Sequence, residues 1–61
     1  MITVNYSYKN KFGEWCDGES YFQSIRKAEI FIKYVLPRKK YTYMGFSADS
    51  YEETMELTQR L

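Results

Sequence analysis

The sequence predicts a small α+β domain, a two-layer fold in which two helices pack on one face of a three-stranded antiparallel sheet. Residues 2–8 alternate between apolar and polar side chains, as a half-buried strand does. Residues 24–36 place apolar side chains at helical spacing. A chain of 61 residues has room for one core, so residues 1–61 are expected to form a single domain with the order β-β-α-β-α.

The first strand has the most regular alternation. Asn10 and its flanking lysines then predict a turn over residues 9–11, because asparagine tolerates a positive φ. A second strand is predicted from Phe12 through Cys16. The apolar face of the first strand consists of Ile2, Val4, Tyr6 and Tyr8.

Asp17-Gly18 leaves the course of the chain open. The pair is typical of a tight hairpin turn, which would lead into a third short strand over Glu19–Gln23. It also fits a bulge within one longer second strand. The bulge is favoured slightly, because 61 residues must also accommodate two helices.

The first helix is predicted over Ser24–Leu36. Ser24 is the expected N-cap, and Pro37 is expected to end the helix because proline has no backbone N–H to donate. The face that this helix would bury consists of Ile25, Ala28, Phe31, Ile32, Val35 and Leu36.

A third strand is predicted over Tyr41–Phe46. Regular alternation turns Tyr41 and Tyr43 toward solvent, and Gly45 indicates a bulge or a close backbone approach. The side chains expected to face the core are Thr42, Met44 and Phe46.

The second helix is predicted to follow Ser50, which forms a capping box with Glu53. Two threonines dilute its inner face, so this helix is expected to dock more weakly than the first. That inner face would consist of Tyr51, Thr54, Met55, Leu57, Thr58 and Leu61.

The composition favours a binding protein over an enzyme. The chain has seven Tyr, four Phe and one Trp but no His, the side chain most often used for proton transfer. Cys16 has no neighbouring His or Lys to activate its thiol, and no motif suggests a metal or a cofactor. We therefore expect a non-catalytic protein without either. A lone cysteine and the lack of a signal or membrane-spanning segment predict a cytoplasmic protein that does not enter a membrane.

Two surfaces are candidates for binding a protein partner. The first is the open sheet face, with Tyr41 and Tyr43 directed outward. The second is the back of the first helix, where Ile30 and Tyr34 lie four residues apart. Arg26, Lys27 and Lys33 flank this pair, and the candidates for partner binding also include Arg38, Lys39 and Lys40.

The segment 38–43 supports an alternative function. Its sequence, Arg-Lys-Lys-Tyr-Thr-Tyr, interleaves cations with aromatic rings, as binders of single-stranded or non-specific nucleic acid do. A net charge of only +1 and the lack of an RNA-binding motif weigh against it. A third alternative is a structural protein that forms a homodimer.

The composition resembles that of the small accessory proteins encoded by bacteriophages and prophages. The likeness rests on a chain of 61 residues rich in Tyr, Lys and Glu, and on the stretch Tyr43-Met44-Gly45-Phe46-Ser47-Ala48-Asp49-Ser50 before an acidic helix. Many such proteins bind and inhibit a host enzyme, a transcription factor or a defence complex. The resemblance implies an inhibitor or modulator of this kind, and it assigns no role to an individual residue.

Overall fold

The computed structural model describes residues 1–61 and confirms the α+β fold with the order β-β-α-β-α. Strands β1 (Ile2–Lys9), β2 (Trp15–Phe22) and β3 (Thr42–Ala48) form one antiparallel sheet in the order β2-β1-β3. Helix α1 covers residues 25–39 in three contiguous segments, and helix α2 covers Tyr51–Arg60. Both helices contribute to a single core on one face of the sheet.

The loop between β1 and β2 is organised by Asn10. Its side-chain Oδ1 accepts hydrogen bonds from the amides of Phe12, at 2.9 Å, and Glu14, at 3.0 Å. The Asn10 amide in turn donates to the Glu14 carbonyl at 2.9 Å. A turn forms where the sequence predicts one, but it is longer than expected. The second strand therefore begins at Trp15, and Phe12 belongs to the loop.

Strand β2 passes through Asp17-Gly18 without interruption. Its register with β1 is regular from Trp15, opposite Lys9, to the far end of the strand. One longer strand is thus correct, whereas the hairpin turn and the bulge at this position are both wrong. Glycine is required at position 18 for a different reason. A Cβ there would lie 2.7 Å from Cζ of Tyr6, because the Tyr6 ring occupies that space.

Helix α1 continues beyond Pro37, contrary to the prediction. An α-helical segment, Ile25–Ile30, leads into a π-helical segment, Phe31–Val35, and then into a last α-helical turn, Leu36–Lys39. In the π-helical segment the Leu36 amide donates to the Phe31 carbonyl, five residues back. Pro37 thus lies in the first turn of a new α-helical segment, where its missing N–H is tolerated.

The two ends of α1 are both capped. The Ser24 hydroxyl accepts a hydrogen bond from the Lys27 amide at 3.4 Å, which confirms the predicted N-cap. At the other end Lys40 adopts a left-handed conformation, with φ of 61°. The amide of Tyr41 then donates to the Leu36 carbonyl at 3.0 Å, which closes the helix in the manner of a Schellman motif.

Strand β3 contains the bulge that Gly45 predicts. Gly45 pairs with Asn5 and Tyr43 pairs with Tyr6, so Met44 has no partner of its own. Gly45 has a φ of +127°, which side-chain-bearing residues rarely adopt. The extra residue reverses the alternation before it. Tyr43 therefore shares the helix-covered face with Tyr6. The prediction that Tyr41 and Tyr43 lie on the open face of the sheet is wrong, although Tyr43 remains 39% exposed.

The same bulge corrects the predicted inner face of β3. Phe46 packs against the core as expected, whereas Thr42 and Met44 are exposed to solvent. The five residues that are fully buried come from β1 and both helices: Ile2, Val4, Ala28, Leu36 and Leu57.

A series of aromatic rings extends this core toward the hairpin end of the sheet. The centroids of Tyr8 and Tyr41 are 4.8 Å apart, and those of Tyr41 and Tyr6 are 5.4 Å apart. Phe31 follows at 5.7 Å from Tyr6, and Phe22 at 5.0 Å from Phe31. Spacings of this size are favourable for aromatic pairs beyond the area they bury. Much of the aromatic content therefore stabilises the fold.

Helix α2 begins at its predicted cap but buries a narrower face than predicted. The Ser50 hydroxyl accepts a hydrogen bond from the Glu53 amide at 3.2 Å. Leu57 is the one fully buried residue of the helix, while 77% of Tyr51 and 41% of Met55 remain exposed. The side of the helix that contains Leu57 therefore faces the core, and the side that contains Tyr51 faces solvent. Neither helix is both long and apolar enough to span a bilayer.

Candidate interaction surfaces

One face of the sheet is left uncovered, because both helices pack on the other. On β2 the alternation that turns Gly18 and Phe22 toward the helices turns Trp15 and Tyr21 away from them. Trp15 is 64% exposed and Tyr21 is 59% exposed. We call this surface the open sheet face; its other residues on β1 and β2 are Thr3, Asn5, Ser7, Lys9, Asp17 and Glu19.

The two rings of the open sheet face each contact a charged neighbour. The Lys9 ammonium lies 5.5 Å from the centroid of the Trp15 ring, within the range of a cation–π interaction. The Tyr21 hydroxyl donates a hydrogen bond of 2.5 Å to the Glu19 carboxylate, and this bond raises the pKa of Tyr21. These contacts orient both rings on the surface. Tryptophan and tyrosine are also the side chains most enriched in interface hot spots.

The outer side of α1 carries the second predicted surface. Tyr34 is 62% exposed and Ile30 is partly exposed, so the structure places both at the surface. The Lys33 ammonium bonds the Glu29 carboxylate at 3.0 Å, whereas Arg26 has no ion pair. This surface lies on the helix layer, so it is separated from the open sheet face by the thickness of the domain.

The basic–aromatic segment 38–43 does not form one continuous surface. Arg38, Lys39 and Lys40 are exposed at the end of α1. Tyr41 instead packs against the core, with the Lys39 ammonium 5.8 Å from its ring centroid. Tyr43 is 39% exposed, and the burial of the rest of the side chain raises the pKa of its hydroxyl. The Tyr41 ring therefore presents no free face beside the cations, and Tyr43 is the one ring of this segment at the surface.

Sequence reasoning missed three exposed aromatic residues of β2 and the loop before it. Trp15 and Tyr21 were not among the predicted binding residues, and neither was Phe12, which is 76% exposed in the loop. The signal that could have identified them is the alternation of residues 15–22 when these are taken as one strand. Dividing that strand at Asp17-Gly18 concealed the phase that Trp15 and Tyr21 share.

The single thiol lies beside the hairpin loop. Cys16 Sγ is 3.6 Å from the Asn10 side-chain nitrogen. The nearby Cys16 thiol also raises the pKa of Tyr8. No three Cys, Asp or Glu side chains lie close enough together to hold a metal ion, and no cavity opens at the surface. No protein-family model matches the chain, and no match is found among curated proteins or among solved structures.

Proposed function

We propose that this chain is a non-catalytic interaction module that binds a protein partner through the open sheet face. We further propose that it inhibits or modulates a host protein, as the resemblance to phage and prophage accessory proteins implies. The observation that carries the proposal is the exposure of Trp15 and Tyr21 on a sheet face that no other part of the chain covers.

The composition of the open sheet face suits protein recognition. Trp15 and Tyr21 supply large apolar contacts with little side-chain entropy to lose. Between them on the neighbouring strand lie Thr3, Asn5 and Ser7, whose short side chains leave the face flat and can form hydrogen bonds. An aromatic anchor of this kind contributes about 2 kcal/mol or more when it is a hot spot.

The same face is poorly suited to nucleic acid. Asp17 and Glu19 lie on β2 between the two exposed rings. A nucleic acid carries a phosphate at every nucleotide, so a strand stacked on both Trp15 and Tyr21 would bring phosphates past these two carboxylates, and their repulsion would weaken its binding. A protein partner is therefore favoured over the nucleic-acid alternative.

The proposal is tested by capture from a bacterial lysate with the tagged full chain. We expect a defined protein to be retained, and Trp15→Ala or Tyr21→Ala to weaken its binding by about tenfold or more. Tyr51→Ala is the matched control, because Tyr51 is 77% exposed on the other layer. Equal losses from Tyr51→Ala and Tyr21→Ala would contradict the proposal, and a loss from Tyr34→Ala alone would place the interface on α1.

A further inference from the structure

We infer that the protein partner presents a cluster of carboxylates, which docks on the end of the molecule that contains the hairpin loop. This inference rests on the proposed protein-binding function and specifies the chemistry of the partner. Five exposed basic side chains lie at that end, and we call them the cationic end: Lys9, Lys11, Arg38, Lys39 and Lys40.

The fold brings these residues together from two distant parts of the sequence. Lys9 and Lys11 border the hairpin loop, directly after Tyr8. The ring of Tyr8 stacks on that of Tyr41 with centroids 4.8 Å apart, and Tyr41 follows Lys40 in the chain. The end of α1 is thereby fixed beside the end of β1, so the two basic segments share one end of the sheet.

The cationic end is not neutralised within the chain. None of its five side chains forms an ion pair, whereas the carboxylate of Glu29 accepts hydrogen bonds from both Lys33 and Arg60 on the helix layer. The acidic residues nearest to the cationic end in sequence are Glu14 and Asp17, which leaves an excess of positive charge. An excess of one sign at an exposed surface favours a partner of the opposite sign.

The aromatic residues at this end favour an acidic protein over a nucleic acid. The Lys9 ammonium lies 5.5 Å from the Trp15 centroid, and the Lys11 ammonium lies 5.3 Å from the Phe12 centroid. One face of each ring is thus partly covered by an ammonium group, which leaves less of the ring free to stack on a base. A carboxylate could instead approach the ammonium from outside, while apolar side chains of a protein contact the ring edges.

A second copy of the chain is a poor complement. Asp49 accepts a hydrogen bond of 2.7 Å from the Met1 amine, and Glu56 accepts one of 3.1 Å from Arg60. Glu52 and Glu53 are then the carboxylates of α2 without an ion pair, and they lie in its first turn, at the opposite end of the sheet. The other carboxylates without an ion pair, Glu14, Asp17 and Glu19, lie in the hairpin loop and along β2, away from Glu52 and Glu53. The chain therefore has no single cluster of carboxylates to set against the five free cations, and we expect the complementary charge to come from another protein.

The inference is tested with a short peptide in which Glu alternates with Leu, titrated against the full chain while the fluorescence of Trp15 is recorded. A peptide with Gln in place of Glu is the matched control. We expect the Glu peptide to bind at least about tenfold more tightly, and to lose that advantage between low salt and about 0.5 M NaCl. Equal binding of the two peptides would overturn the inference.

Two charge-reversed double variants locate the binding. We expect the double variant Lys9→Glu/Lys39→Glu to bind the Glu peptide at least about tenfold more weakly than the parent. Arg26→Glu with Lys27→Glu makes the same change in net charge near the other end of α1 and should have a smaller effect. Equal effects would overturn the inference. Tighter binding of oligothymidylate or of phosphatidylglycerol vesicles than of the Glu peptide would also overturn it, as would a dimer in light scattering that the Lys9/Lys39 variant abolishes.

The lysate capture separates this inference from the proposed function. Loss of capture with Trp15→Ala but not with Lys9→Glu/Lys39→Glu would refute the acidic partner and leave the protein-binding function standing. Loss of capture with both variants supports both. Capture that survives both Trp15→Ala and Tyr21→Ala and is lost with Lys9→Glu/Lys39→Glu contradicts the aromatic anchors of the open sheet face and supports the cationic end.

Discussion

At the scale of single residues, the contact between Gly18 and Tyr6 controls how closely β2 can approach the aromatic series. The Tyr6 ring lies over the glycine, and its hydroxyl is 3.3 Å from the Ser20 hydroxyl on the same strand. Tyr6 also stacks on Tyr41 and packs against Phe31, so its ring cannot shift freely. A side chain at position 18 must therefore disturb packing well beyond β2.

We expect Gly18→Ala to reduce the free energy of unfolding by about 1–3 kcal/mol, since the added Cβ overlaps the Tyr6 ring. Urea denaturation measures this change. In a Tyr6→Leu background the same substitution should cost less, because the smaller side chain leaves room for the Cβ. An equal cost in both backgrounds would show that the ring is not the cause.

Lys40 allows a second test at this scale, because it is the only non-glycine residue with a positive φ. We expect Lys40→Gly to raise the free energy of unfolding by about 0.5–1 kcal/mol, as glycine adopts this conformation without steric strain. Lys39→Gly, one residue earlier and within the helix, should lower it by about 1 kcal/mol. Urea denaturation of the two variants measures both free energies of unfolding. A change of the same sign in both variants would contradict the role assigned to the positive φ of Lys40.

At the scale of elements, the bulge in β3 decides which tyrosines are available for contact. Two residues of β3, Met44 and Gly45, oppose the single residue Asn5. This insertion is what turns Tyr41 and Tyr43 to the helix-covered face. The sequence indicates the bulge through Gly45, but a two-residue period counted through it assigns every residue before it to the wrong face.

Deletion of Met44 tests this explanation. Without Met44 the alternation from Tyr41 to Phe46 becomes regular and keeps the same inward residues. We therefore expect the shortened chain to unfold cooperatively, with a stability within about 1–2 kcal/mol of the parent. Ser47 lies in the regular part of the strand. Its deletion would make Phe46 and Ala48 adjacent, so that they could no longer both face the core, and it should abolish the thermal transition. Equal tolerance of both deletions would contradict the proposed role of the bulge.

The contact between the two helices predicts a pH dependence. Glu29 on α1 bonds Lys33 at 3.0 Å and Arg60 of α2 at 3.1 Å, and these hydrogen bonds lower the pKa of Glu29, that from Lys33 contributing most. A carboxyl whose pKa is lower in the folded state stabilises the fold above its unfolded pKa. That stabilisation is lost as the pH falls through the folded pKa.

We accordingly expect Glu29→Gln to lower the melting temperature near neutral pH, and the difference from the parent to disappear between about pH 5 and pH 2. Thermal melts across this range measure it. Asp17→Asn is the matched control, since Asp17 forms no ion pair, and it should leave the acid dependence unchanged. A difference between Glu29→Gln and the parent that persists at the acidic limit would assign the effect to packing instead of charge.

At the scale of the whole molecule, the domain is elongated, with extents of 39 by 19 by 16 Å, and only five of its 61 residues are fully buried. A core this small gives modest stability, which the aromatic series beside it supplements. The fold class and the order of elements follow from hydrophobic periodicity and helix caps, because these signals are local. The bulge, the course through Asp17-Gly18 and the passage of α1 beyond Pro37 depend on tertiary contacts that a local pattern does not contain.

The candidate surfaces were predictable to a smaller extent for the same reason. The exposure of Tyr34 and Ile30 follows from helical phase within one element. The grouping of Lys9 and Lys11 with the end of α1 requires knowledge of how β1 and β3 pair. Trp15 could have been assigned to the open sheet face only by treating β2 as one strand.

The central claim, that a protein partner binds the open sheet face, is tested most directly by site-specific photocrosslinking in bacterial lysate. A photoreactive phenylalanine analogue replaces Tyr21 in one chain and Tyr51 in another. Both positions are exposed, but they lie on opposite layers. We predict an adduct of one defined mass from position 21 and none of that mass from position 51. An adduct from position 51 but not from position 21 would contradict the claim.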